Sequence, residues 1–147
     1  MLQRSALVLS GFALLCGLGC ASSFADPTGR QNSLEKAQRD YTNAIRWGEI
    51  KRAAGFVEPE MREEFLGYAD AFEKIQITDA DYDPLGIEPV DDRAEVEVTY
   101  HAISLATFNE KKFVATQEWT RHDGVYNTWR VRPEIGEIVR ALRVDAD

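Results

Sequence analysis

The period of the apolar residues changes once along this chain. That change predicts an α+β domain, with N-terminal helices packed on one face of a curved antiparallel sheet. Two patterns carry the prediction. From Leu34 to Phe72 apolar residues recur at helical spacing. From Ile75 to Val131 they alternate with polar ones, as strand residues do.

Ser33 is the expected N-cap of the first helix. Leu34, Ala37, Tyr41, Ala44 and Ile45 form its apolar stripe. A bend is expected near Trp47-Gly48, followed by a short second helix through Ile50, Ala53, Ala54 and Val57. Pro59 suits a first helical turn. Met61, Phe65, Tyr68, Ala69 and Phe72 make a third stripe. Ile75 and Ile77 begin a strand, and Asp83-Pro84-Leu85-Gly86 and Glu88-Pro89 mark turns. In the next strand Val96, Val98, Tyr100 and Ala102 point one way, and Glu95, Glu97, Thr99 and His101 the other. Weakened alternation at Ile103 to Leu105 predicts a bulge. Asn109-Glu110-Lys111-Lys112 reads as a hairpin turn. Phe113, Ala115, Gln117 and Trp119 then share one face. His122-Asp123-Gly124 carries the Asp-Gly signal of a second hairpin. Val125, Asn127, Trp129 and Val131 form the last strand, and Glu134 to Arg143 a short terminal helix.

This element order resembles the nuclear transport factor 2-like, or cystatin-like, superfamily. The likeness rests on Tyr41 to Ala54 with its Gly48-Glu49 break, on Pro59, and on strands ending in Tyr126-Asn127-Thr128-Trp129-Arg130-Val131. It covers about residues 33 to 132. It implies a bent sheet wrapped around a long helix to make a cone. The superfamily includes ketosteroid isomerase, polyketide cyclases, dehydratases and non-enzymatic binding modules, so the fold does not select an activity. Its members often dimerise through the open sheet face, which makes a homodimer one expectation.

The N-terminus reads as an export signal. Met1 to Arg4 carry one positive charge, and Ser5 to Leu18 are apolar but too short to span a bilayer, which takes about 20 residues. The run Gly17-Leu18-Gly19-Cys20-Ala21 resembles the lipobox of bacterial lipoproteins. There a small residue precedes a cysteine whose thiol receives diacylglycerol before a peptidase cuts ahead of it. Leu18 stands one place nearer the cysteine than in that family. Ordinary cleavage after Ser23-Phe24-Ala25 is the alternative, and it would release a free periplasmic protein. With lipidation at Cys20, Ala21 in place of Asp implies sorting to the outer membrane, facing the periplasm. The expected organisation is a signal peptide over 1–19, a flexible tether over 20–32 and one domain over 33–143. A multiply acylated cysteine is a stable anchor.

Of the 147 residues, 44% are apolar, an ordinary share for a globular protein. The formal net charge is -8. An acidic surface disfavours nucleic acid as a partner, because phosphate binding needs basic residues. Both cysteines, Cys16 and Cys20, lie in the leader, which excludes a disulfide scaffold or a thiol nucleophile in the domain.

No motif commits the chain to a chemistry. Asp79-Ala80-Asp81-Tyr82-Asp83 starts like an EF-hand loop, but Pro84 stands where Gly is needed and Val90 where Glu is needed. His101 and His122 lack a metal-ligand cluster, so no metal or cofactor is expected. An isomerase-like site would need a carboxylate or histidine inside the cone. Asp70, Asp79 and His101 are the candidates, with Tyr41 or Tyr100 as donors. Trp47, Tyr68, Tyr82, Trp119 and Trp129 suit either a pocket or a core. The expected reading is a non-catalytic domain that binds a small ligand or an envelope protein, with Tyr41, Trp47, Tyr100, His101 and Trp119 as candidate contacts. An enzyme of the isomerase, cyclase or dehydratase type is the alternative. A structural accessory subunit, its cone filled by its own side chains, is a third.

Intact-mass measurement of the protein from bacterial cells tests the leader. The expected chain starts at Cys20 with added acyl mass, and Cys20→Ala abolishes that mass. A chain starting at Asp26 with no added mass would contradict the anchor.

Overall fold

A computed structural model describes residues 29–83, 92–122 and 128–143. Cys20, the expected turns within 84–91, and the Asp123-Gly124 hairpin with Val125 and Asn127 lie outside these.

The first helix, α1, runs Arg30–Arg46. It starts three residues before the expected cap, so 30–32, read as the end of the tether, are helical. Ser33 does not cap. Its hydroxyl donates to the Arg30 carbonyl (2.8 Å) and accepts from the Trp129 indole (3.0 Å). The buried face of α1 is Leu34, Gln38, Tyr41, Thr42, Ala44 and Ile45. It thus carries polar groups inward as well as apolar ones.

The expected bend is a helix C-terminus. Gly48 sits at φ 68°, in the left-handed region. Its N–H donates to Ile45 O (3.1 Å) and that of Glu49 to Ala44 O (2.8 Å), the paired closure of a Schellman motif. α2 (Ile50–Ala53) follows. A 3-10 turn at Pro59–Met61 leads into α3 (Arg62–Gly67) and α4 (Ala69–Phe72). The expected single third helix is therefore broken at Tyr68, although Phe65 and Phe72 still bury the stripe.

Four strands form one antiparallel meander in sequence order. They are β1 (Ile75–Asp81), β2 (Arg93–Ser104), β3 (Glu110–His122) and β4 (Thr128–Arg132). The extra residue lies in β1 and not at Ile103 to Leu105. Register shifts between Ile77, opposite Ala102, and Asp79, opposite His101. Thr78 is the unpaired residue, and its hydroxyl donates to the His101 carbonyl (3.0 Å). The β2–β3 turn falls at 105–109. Glu110, Lys111 and Lys112 are already in β3, opposite Ile103, Ala102 and His101. Polar side chains suit that end of the hairpin, where Glu110 and Lys112 are exposed.

The alternation of β2 and β3 holds. Ala94, Val96, Val98, Tyr100 and Ala102 are buried on the concave face, with Ala115, Gln117 and Trp119 beside them. α1 crosses this face from β4 to β1. Its first turn meets Trp129 at one edge. At the other, Arg46 donates to Thr78 O (3.0 Å) and lies 3.5 Å from Asp79. The chain after α2 pairs with β4, where Val131 N–H donates to Phe56 O and Glu58 N–H to Val131 O. The last helix, α5 (Ile135–Arg143), buries Ile135, Ile138, Val139 and Leu142 against the core.

Gly48→Ala places a side chain at a positive φ with no clash, since nothing lies within 4 Å of the added Cβ. The expected cost is about 1–2 kcal/mol of backbone strain, and Gly48→Asn should lose less. Urea unfolding of both variants checks this.

Candidate functional site

Four elements bring polar groups to one point inside the cone. α1 supplies Tyr41 and Thr42, β2 supplies Tyr100, and β3 supplies Gln117. Glu134, the residue just before α5, places its carboxylate among them. Tyr41 OH donates to Glu134 Oε2 (2.9 Å). Tyr100 OH donates to Oε1. Gln117 Nε2 also donates to Oε1 (2.9 Å). Tyr41, Tyr100 and Gln117 are wholly inaccessible, and Glu134 is 2% exposed. The carboxylate is thus held by three neutral side chains.

The network extends further. Gln117 Nε2 lies 3.0 Å from Thr42 Oγ1 and 3.2 Å from Tyr100 OH, so its two hydrogens serve three acceptors. The carboxylate is the strongest of these, because a charged acceptor roughly doubles a hydrogen bond. Gln117 Oε1 accepts from the Trp119 indole (3.2 Å), and Gln38 Nε2 donates to Thr42 Oγ1 (3.1 Å). Gln38 Oε1 is buried and accepts no hydrogen bond. Tyr41 packs edge-on against Trp119, and Phe113 stacks on Tyr100.

Burial pushes the Glu134 carboxyl above its ordinary value of 4.5. Hydrogen bonds from Tyr100, its own backbone, Gln117 and Tyr41 oppose that rise without cancelling it. Both phenols are raised well above 10, first by burial and then by the Glu134 charge. They therefore act as donors and not as phenolates. Glu134 also begins a helix, where backbone dipoles favour a negative charge. Its carbonyl accepts from the N–H groups of Glu137 (2.8 Å) and Ile138 (3.2 Å).

Of the residues singled out from the sequence, Tyr41, Tyr100 and Trp119 meet here. His101 does not. It lies on the opposite face of β2, its side chain 31% exposed and 3.9 Å from Glu110. Trp47 is 73% exposed beyond the end of α1, with the Arg46 guanidinium 5.7 Å from its ring centroid. Neither Asp70 nor Asp79 enters the cone. Asp70 is exposed on α4, and the side chain of Asp79 is half exposed beside Arg46. His122 pairs with Glu58 at the surface (2.9 Å). Among the described residues no three His, Cys, Asp or Glu side chains cluster to hold a metal. Among the described residues the inward acid is Glu134, which by sequence pattern is only the start of a helix.

The interior site is closed. A surface hollow of about 550 Å³ is edged by Glu58, Arg93, Glu118 and Arg132. Another of about 610 Å³ is edged by Gly48, Phe72 and Ile75. Neither is lined by Tyr41, Tyr100, Gln117 or Glu134.

No family profile matches the sequence, and no curated protein does. Solved structures do match in fold. A SEC-C motif containing protein from Rhodopseudomonas palustris is 15% identical, with a TM-score of 0.56 over 78% of this chain and 86% of that one. A ketosteroid isomerase-like protein from Erwinia carotovora is 16% identical, with a TM-score of 0.50 over 71% and 92%. An NTF2-like family protein from Streptomyces avermitilis is 18% identical, with a TM-score of 0.49 over the same shares. The fold is α+β, helices followed by a curved antiparallel sheet, and the first two of these structures share it.

Glu134→Ala strands two phenol protons and an amide. Each stranded buried donor costs about 1–3 kcal/mol, offset in part by removing a buried charge, so a net loss of about 3 kcal/mol is expected. Glu134→Gln should lose less. The wild type should also show a pH slope. With the carboxyl pKa raised on folding, the folded state binds more protons than the unfolded one above pH 4.5. Stability therefore falls as pH rises from there through the folded pKa, then levels. Urea unfolding against pH checks this, and Glu134→Gln should lack the slope.

Proposed function

We propose that this chain is an envelope protein held by acyl groups on Cys20, facing the periplasm from the outer membrane, whose cone-shaped domain binds and does not catalyse. One observation carries the second half of this reading. The inward carboxylate is satisfied by three donors and sealed from solvent, which bars a substrate from it while α5 stays in place. Catalysis by proton transfer needs the acid or base within about 2.6–3.2 Å of the proton it moves, or one water away. The export half rests on the charged n-region, the apolar run and Gly19-Cys20.

A second reading has its own support. A buried carboxyl raised by desolvation beside two phenols is an arrangement found where protons are moved. The Erwinia carotovora neighbour is named ketosteroid isomerase-like, and an enzyme of the isomerase or dehydratase type would use such a group if α5 moved aside.

Turnover separates the two. Purified wild-type protein and Glu134→Gln are assayed with a β,γ-unsaturated ketone and a β-hydroxy thioester, watching the conjugated product by absorbance. The binding reading expects rates indistinguishable from buffer for both proteins. Turnover lost in Glu134→Gln would overturn it in favour of the enzyme.

A further inference from the structure

We infer that the polar floor of the cone is a binding site for amphiphilic monocarboxylates, occupied in this structure by the protein's own Glu134 as an internal ligand. The inference deepens the non-catalytic binding reading and rests on it.

The donors are built independently of the group they hold. Tyr41, Tyr100 and Gln117 come from α1, β2 and β3, and all three are fully buried. They converge on one carboxylate from three directions. Held by neutral donors, a buried charge is an expensive way to fix a helix, because its desolvation costs several kcal/mol. The floor reads more economically as a receptor for a carboxylate.

The segment that supplies Glu134 has the form of such a ligand. Its carboxylate head is followed by an apolar body, Ile135, Ile138, Val139 and Leu142, seated in the core. α5 is the last described element, joined to β4 through Pro133, and no strand pairs with it. It could leave as a unit without breaking a sheet hydrogen bond. Lys111, which donates to Ala141 O (3.0 Å), is one polar tie holding it. A further sign is the buried Gln38 Oε1, one step along the same network, which accepts no hydrogen bond. The occupant satisfies the donors of the floor but not all of its polar groups.

A free carboxylate must therefore compete with α5, and removing the internal ligand must strengthen binding. The probe is sodium decanoate below its micelle-forming concentration, with 1-decanol as the uncharged control. Hydrogen exchange and calorimetry are run on the full chain. In the wild type, decanoate should speed exchange at 135–143 by about tenfold or more and leave 94–102 protected. Glu134→Ala should bind decanoate about tenfold more tightly than the wild type, and decanol should do neither. Gly136→Val keeps every donor but crowds the Tyr68 hydroxyl, which lies 3.2 Å from an added Cβ, so it should also tighten binding. If Glu134→Ala fails to fold, the wild-type exchange result and Gly136→Val decide.

Decanoate that binds no form, or binds with α5 still protected, or binds no better than decanol, would overturn the inference and leave the non-catalytic reading standing. Turnover dependent on Glu134 would overturn the non-catalytic reading and, with it, the inference that rests on it.

Discussion

A carboxylate at the centre of a small domain is costly, and in this fold the cost is met by three neutral donors in fixed positions. The Tyr41, Tyr100 and Gln117 bonds to Glu134 tie the first helix, the two central strands and the last helix to one point. Displacing any of these elements would strand a buried polar group, and the penalty for a stranded group exceeds the gain from an ordinary hydrogen bond. The network therefore fixes how α1 and α5 lie on the sheet, where apolar packing alone would tolerate several arrangements.

The rest of the architecture serves that point. The Schellman end at Gly48 stops α1 where Arg46 reaches the β1 bulge, which fixes the far end of the helix against the sheet. The Ser33–Trp129 bond fixes the near end. Between them Tyr41 and Thr42 face the floor. On the sheet, Val96 is opposite Gln117 and Tyr100 opposite Phe113, so one concave face presents both Tyr100 and Gln117. The outer face keeps Glu95, Glu97 and Glu118 in water.

Much of this was legible in the sequence. Strict alternation in β2 and β3 gave the inward set, a buried Trp119 follows from it, and the same alternation in β4 buries Trp129. The helical stripe gave Tyr41. Glu134 was not legible by the same rules, because an acid that follows Pro133 and opens a helix reads as a solvated first-turn residue. The available signal was its spacing. Glu134 stands four residues before Ile138, so it shares the face that the helix buries. Gln117 gave a second hint, as a polar side chain within an inward row of apolar ones. Trp47 and His101 misled for related reasons. An aromatic beside a helix-ending glycine lies past the packed face, and a strand neighbour of an inward tyrosine must point outward. The start of α1 and the position of the bulge depended on tertiary bonds, those of Ser33 and Thr78, which local pattern does not encode.

The central claim is that two phenol hydrogens point at one buried carboxylate. Proton NMR of the tyrosine hydroxyls tests it most directly. The account predicts two slowly exchanging downfield hydroxyl signals, assigned to Tyr41 and Tyr100, that shift together as the Glu134 carboxyl carbon titrates with a midpoint above 4.5. Hydroxyl protons exchanging too fast to observe, with Glu134 titrating at its ordinary value, would contradict it.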